Sequence, residues 1–140
     1  MSRIFWDTNI FIYLFEGSTG FAAQAAQLRE KMLARGDQLV TSTFSLGEIL
    51  VKPARQKNSQ LLQYYKQLLP ATSVLIPFDE KAASAYAQLR CDLSLRHPDA
   101  IQLACAASYG VDLFITNDMR LQAKRVSGIQ FIASLDRVPI

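Results

Sequence analysis

The chain has 140 residues, half of them hydrophobic and 19% charged, with six Gly and five Pro, which excludes a disordered or fibrous protein and fits one globular domain over residues 1–140. Fifteen Lys and Arg face twelve Asp and Glu, a net charge of +3, so the balance is mildly basic. A single histidine and two isolated cysteines exclude a multi-histidine or thiolate zinc site and give no disulfide framework.

Reduced thiols point to the cytoplasm. A charged residue interrupts the opening apolar run and no small-residue cleavage site follows, so no secretory leader is expected. Nothing approaches the roughly 20 apolar residues of a membrane span, so no membrane association is expected. The apolar share is high for a small domain, which a rich core or an interface with another chain would each explain.

Along the chain, short β-rich apolar runs alternate with longer helical stretches. Strands are expected at residues 4–6, 38–41, 74–77, 113–116 and 129–132. Between them lie a short helix at 10–15 and a second at 21–35 that stops at Gly36. A third spans 44–52, where Pro53 should end or kink it, and a fourth spans 59–69 ahead of Pro70. Asp79 is the expected N-cap of a long helix reaching Leu95. "HPDAIQLACAASYG" places Pro98 in the first turn of the next helix and Gly110 beyond its end. A last short helix follows Asn117. Strand–helix alternation implies an α/β fold, a parallel sheet covered on both faces. Functional groups in such sheets collect beyond the carboxyl ends of the strands.

Four acids stand out by their settings. Asp7 follows the first strand in "FWDTN", between bulky apolar residues. Glu48 lies among Leu46, Ile49, Leu50 and Val51. Asp99 opens a helix, and Asp118 follows the fourth strand in "FITNDM". Each has an ordinary explanation: Asp99 complements a helix N-terminus, Asp118 or Asn117 caps a helix, Glu48 pairs with Lys52 four residues on. Asp7 fits no such explanation well. One object accounts for all four. Carboxylates converging on a crevice repel each other unless a cation sits between them, and Mg²⁺ or Mn²⁺ prefers oxygen ligands.

"DTNIFIYLFE", "STFSLGEIL", "HPDAIQLACA" and "FITND" resemble, in order, the successive motifs of the PIN domain, with the closest likeness to VapC-type toxins of type II toxin–antitoxin pairs. The resemblance implies a three-layer α/β/α domain on a five-stranded parallel sheet of order 3-2-1-4-5. It implies a Mg²⁺- or Mn²⁺-dependent endoribonuclease with Asp7, Glu48, Asp99 and Asp118 around the metal, and Thr8, Asn9, Thr116 and Asn117 as a supporting polar shell. In-line attack leaving a 5′-phosphate and a 3′-hydroxyl, a small antitoxin partner and a homodimer are further implications. Leu121 stands where many relatives have Phe, a change expected to touch packing only.

Setting the four acids aside leaves fifteen basic side chains against eight acidic ones, as an RNA-backbone surface requires. Lys52, Arg55, Arg96 and Arg120 are the candidate phosphate contacts, with Lys57, Lys124 and Arg125 nearby. Tyr64 and Tyr65 fit packing better than base stacking, and His97 a helix cap better than a phosphate contact. Asp79, Asp92, Asp112 and Asp136 read as caps, turns or surface. Three alternatives stay open. An aspartyl phosphotransferase would use Asp7 as nucleophile but wants an acid where Asn9 stands. A free-standing PIN nuclease and a non-catalytic PIN-like module binding RNA or protein are the others.

Overall fold

The computed structural model describes residues 1–17 and 20–140. Five short strands carry the hydrophobic runs: β1 (Arg3–Trp6), β2 (Gln38–Ser42), β3 (Val74–Ile76), β4 (Val111–Ile115) and β5 (Ile129–Ala133). All pairings are parallel and the order is β3-β2-β1-β4-β5. Parallel neighbours need crossovers. These are α1 (Thr8–Glu16) and α2 (Ala22–Arg35), then α3 (Thr43–Arg55) and α4 (Ser59–Thr72), then α5 (Glu80–Leu89) and α6 (His97–Tyr109), and finally α7 (Met119–Gln122).

Alternation along β1 divides the core in two. Ile4 and Trp6 face a layer formed by α1, α2, α3 and α4, where Ile10, Phe11, Leu28, Met32, Ile49 and Leu69 are buried. Phe5 faces the opposite layer and stacks on Phe114 at 4.8 Å, with Leu103 and Ala106 of α6 and Leu121 of α7 closing over it. The sheet is thus apolar on both faces, as an all-parallel sheet must be. The expected three-layer fold and strand order are present. Among the described residues no helix is long and apolar enough to cross a membrane.

Three helix ends differ from expectation. α3 runs through Pro53 to Arg55, and α4 through Pro70 to Thr72. Both prolines stand in a last turn, where the missing N–H frees a single carbonyl and no later turn has to be built on it. α5 stops at Leu89 rather than reaching Leu95. Asp92 Oδ1 there accepts from Ser94 N (3.0 Å) and Ser94 Oγ (2.6 Å), a local turn that outcompetes the helix, and Leu95 drops into the second core cluster. Gly128 is needed where the chain enters β5: its φ is +96°, and a Cβ there would lie 2.5 Å from the Ala107 carbonyl oxygen.

The order reverses between β1, the central strand, and its neighbour β4. Loops leaving them at their carboxyl ends diverge and leave a crevice. Asp7 N still donates to Ile115 O at 3.0 Å, so Asp7 is pinned at the crevice floor by the last rung of the β1–β4 ladder.

Candidate active site

Asp7, Glu48, Asp99 and Asp118 line one cleft of about 350 Å³, together with Thr8, Asn9, Ile12, Arg96, Pro98 and Gln102. Each acid is delivered by a different element. Asp7 is the N-cap of α1, Glu48 lies in the middle of α3, Asp99 is in the first turn of α6, and Asp118 caps α7.

Asp7 is the most tightly held. Its Oδ1 accepts from Thr8 N at 2.9 Å and its Oδ2 from Thr116 Oγ1 at 2.9 Å. Burial pushes its carboxyl up to about 6; the Thr116 and Thr8 bonds pull the other way, and the Glu48 and Asp99 carboxylates push it further up. The desolvation cost outweighs two good hydrogen bonds, which marks a carboxylate short of positive charge.

The exposed side of the cleft has that charge. Arg96 Nε donates to Asp99 Oδ2 at 3.2 Å, and its Nη2 stands 3.6 Å from Asp118 Oδ2. Arg120 grips Asp118 with two contacts, Nε to Oδ1 at 3.0 Å and Nη2 to Oδ2 at 2.6 Å. The Arg120 side chain holds the Asp118 carboxyl below its usual range. Among the described residues no three His, Cys, Asp or Glu are gathered closely enough to hold a metal as they stand. Two of the four acids, Asp99 and Asp118, are paired with arginines.

Behind the acids is a buried polar knot that sequence reasoning missed. Gln102 of α6, 2% exposed, donates through Nε2 to Ser45 Oγ (2.7 Å) and Thr8 Oγ1 (3.0 Å), with Glu48 Oε1 at 3.4 Å. Its Oε1 accepts from Ser42 Oγ. Thr8 Oγ1 in turn donates to Glu48 Oε1 at 2.5 Å. Thr41 Oγ1 lies 2.8 Å from Ser45 Oγ and donates to the Trp6 carbonyl at 2.9 Å. A signal was present: Gln102 is a lone polar residue in "AIQLACA", three after Asp99 and so on the same helix face.

The remaining expected residues are placed as follows. Thr8 Oγ1 donates to Glu48 and Thr116 Oγ1 to Asp7. Asn9 is exposed at the cleft mouth. Asn117 turns instead to the C-terminal segment, its Oδ1 accepting from Leu135 N at 3.0 Å. Lys52 does not pair with Glu48; it bonds Glu16 at 3.2 Å. Both line an adjoining apolar hollow of about 270 Å³ with Ile12, Phe15, Ile49 and Tyr65. Arg55 is exposed at the end of α3. Tyr65 is buried beside Phe15 at 5.4 Å. The His97 Nδ1 meets the Tyr86 hydroxyl at 2.7 Å. Asp79 caps α5 through Ala82 N, and Asp92, Asp112 and Asp136 hold Lys124, Arg3 N and Ser134 away from the cleft.

The PIN domain signature matches residues 4–127. The chain belongs to the PIN domain family. PIN domains form a nuclease family acting on phosphodiester bonds, and the four acids of this PIN domain line the cleft where its sheet order reverses. Its fold is similar to a chain of VapBC2 from Rickettsia felis, solved bound to a DNA fragment from the promoter (18% identity, TM-score 0.75, 94% of this chain and 98% of that one). It is similar also to a chain of a toxin–antitoxin complex from Klebsiella pneumoniae (26% identity, TM-score 0.67, 90% and 94%). A third similar structure is DNA-bound VapBC from Salmonella typhimurium (19% identity, TM-score 0.66, 96% and 99%). No curated protein matches the sequence significantly.

Proposed function

We propose that this PIN domain, spanning residues 1–140, is a Mg²⁺- or Mn²⁺-dependent endoribonuclease and the toxin of a toxin–antitoxin pair. The observation that carries the reading is the cleft itself, lined by four carboxylates from four elements, of which the most buried, Asp7, is pushed up to about 6.

The donor set fits a hard divalent cation. The acids present only oxygen, and neither cysteine nor the lone histidine lines the cleft. Asp7 and Asp99 would hold the principal ion, with Glu48 and Asp118 as ligands directly or through water. When bound, such an ion lowers the pKa of a coordinated water and neutralises charge on the phosphate.

The chain's own residues do the rest. Thr116 and Thr8 fix the Asp7 carboxylate, and one of the outer acids orients the attacking water for in-line displacement, leaving a 5′-phosphate and a 3′-hydroxyl. Arg96 and Arg120, at the open side, exchange their carboxylate partners for phosphate oxygens as RNA enters, and Lys52 and Arg55 extend the basic track.

Similarity to chains of VapBC complexes and of the Klebsiella pneumoniae complex supports a small antitoxin partner, whose C-terminal segment would lie over the acidic cleft. A cytoplasmic homodimer completes the reading.

One observation favours a second reading. Arg120 holds both oxygens of Asp118, which suits a PIN-like module that binds RNA without cutting it. A free-standing nuclease that is not a toxin is the remaining variant. The test compares wild type with Asp7→Asn and Asp99→Asn on a pool of cellular RNAs, with Mn²⁺ and with EDTA. Cutting by wild type alone, abolished by EDTA, is expected; RNA retained but uncut by folded wild type in Mn²⁺ would favour the binding module. Unchanged growth on expression of the chain alone would remove the toxin assignment and leave the nuclease.

A further inference from the structure

We propose that Gln102 is a positioning residue that holds Glu48 by one carboxylate oxygen, Oε1, and thereby presents the other, Oε2, alone to the cleft. Its consequence for a bound cation rests on the divalent-ion reading above.

The proposal follows from a count of protons in a closed space. Thr41, Ser42 and Ser45 are fully buried, Gln102 is 2% exposed and Thr8 6%. Groups so buried must find partners among themselves. The Trp6 carbonyl can only accept, so the Thr41 hydroxyl proton goes there (2.9 Å). The 2.8 Å contact between Thr41 and Ser45 then carries the Ser45 proton. Ser45 Oγ is left as an acceptor for one Gln102 N–H at 2.7 Å, and Thr8 Oγ1 for the other at 3.0 Å. The Thr8 proton goes to Glu48 Oε1 at 2.5 Å, and the Ser42 proton to Gln102 Oε1. Every hydroxyl proton is used once.

The opposite orientation of the Gln102 amide breaks this order. Its carbonyl would then compete with Glu48 for the Thr8 proton, and one of its N–H groups would be left buried without a partner. The network therefore has one polarity. It starts at Ser42, branches at Gln102, and ends on two acceptors, the Trp6 carbonyl and Glu48 Oε1. The five elements it joins, β1, β2, α1, α3 and α6, bring Asp7, Glu48 and Asp99 to the cleft.

Glu48 is held on one side only. Among the described residues Oε2 makes no hydrogen bond, while Oε1 takes the Thr8 proton and has Gln102 Nε2 3.4 Å away. A carboxylate fixed in this way offers a single oxygen in a set direction, which suits a small cation that keeps several waters. Partners one step removed from a metal ligand commonly set affinity by 10–100-fold.

The test titrates the full chain with Mn²⁺, following free Mn²⁺ by electron paramagnetic resonance, and follows exchange of the Gln102 side-chain amide protons in metal-free protein by NMR. Gln102→Met keeps the length and removes the hydrogen bonds. Thr8→Val cuts the link to Glu48 and leaves Gln102 bonded to Ser42 and Ser45, so it serves if the first variant folds poorly. Each should weaken Mn²⁺ binding at least tenfold, and neither should add to the loss already caused by Glu48→Ala. Binding within twofold of wild type in both variants would overturn the proposal, as would an equal loss on the Glu48→Ala background, which marks general packing. Wild type that binds no Mn²⁺ yet keeps slowly exchanging Gln102 amide protons would sink the cation reading while supporting the hold on Glu48. Rapid exchange of those protons in wild type would overturn the hold itself.

Discussion

Replacing Asp7 by Asn should stabilise the metal-free protein, although it removes a proposed ligand. Folding pushes the Asp7 carboxyl from its ordinary 3.8 up to about 6, chiefly by burial. The folded state therefore binds the proton more tightly than the unfolded state, and ionised Asp7 opposes folding. Between pH 4 and 6 the unfolded chain releases this proton first, so metal-free wild type loses stability as pH rises through that window and bears the whole cost above it. At about 1.4 kcal/mol per pH unit separating the two values, the cost is at most about 3 kcal/mol. Asn is isosteric and neutral. It keeps an acceptor for Thr8 N–H and turns its amide to Thr116 Oγ1, whose hydroxyl rotates to accept. Allowing for that exchange, a gain of about 1–3 kcal/mol is expected, or roughly 3–10 °C in Tm for a chain this long. The assay is thermal melting in EDTA at pH 7.5 and again at pH 4.5, low in that window, where the difference should shrink to about a third. Mn²⁺ should then raise the wild-type Tm and leave the variant near its EDTA value. An Asp7→Asn protein that melts below wild type at pH 7.5, or whose gain is undiminished at pH 4.5, would refute the assignment of Asp7 as a desolvated anion lacking a counter-ion.

Arg120→Gln should release Asp118 and deepen the negative field of the cleft, tightening Mn²⁺ two- to tenfold by titration at low salt while weakening RNA binding by filter assay. Gly128→Ala should cost about 2–4 kcal/mol by urea unfolding, because φ is +96° and the new methyl would meet backbone 2.5 Å away. Cys91 is exposed and Cys105 buried with its thiol pushed up to about 11 by burial, so a thiol reagent at pH 8 should label one site per native chain and two in denaturant.

The fold was legible because each of its parts is decided locally. Apolar runs as short as "IFW" are too brief for helices and, buried on both sheet faces, need no alternation; Gly36 and Asp79 stop and start helices by their own backbone chemistry. The helix ends that differed depended on information a local reading lacks. Pro53 and Pro70 are tolerated because only the last two residues of each helix follow them, and the end of α5 is set by Asp92, which Lys124 holds at 2.7 Å from 32 residues away. In the cleft the acids were legible because an acid among apolar residues is costly without a reason. Gln102 and Ser45 were not, since an amide and a hydroxyl in a helix have many cheap fates and their value here comes from meeting in a network that spans five elements. The pairing of Glu48 with Lys52 failed for a related reason: spacing permits it, but Glu16 of α1 takes the lysine.

The four acids differ in how freely they can answer a ligand, and that difference orders the events at the cleft. Asp7 is clamped through both oxygens by the backbone and Thr116, and Glu48 through one. Asp99 and Asp118 are held by arginines whose side chains are 59% and 57% exposed, contacts that water weakens to about 1 kcal/mol or less. On the proposed reading, a cation entering the cleft meets two fixed carboxylates and recruits two movable ones, so little of the fold has to reorganise. The arginines it frees lie at the mouth, where the substrate arrives. Metal and RNA binding should therefore help each other: each takes over a partner the other has released. Measuring the RNA Kd of Asp99→Asn with and without Ca²⁺, and that of wild type likewise, separates this from independent binding. The wild type should gain affinity with the ion and the variant far less, and equal gains would mean that the arginines play no part in the coupling.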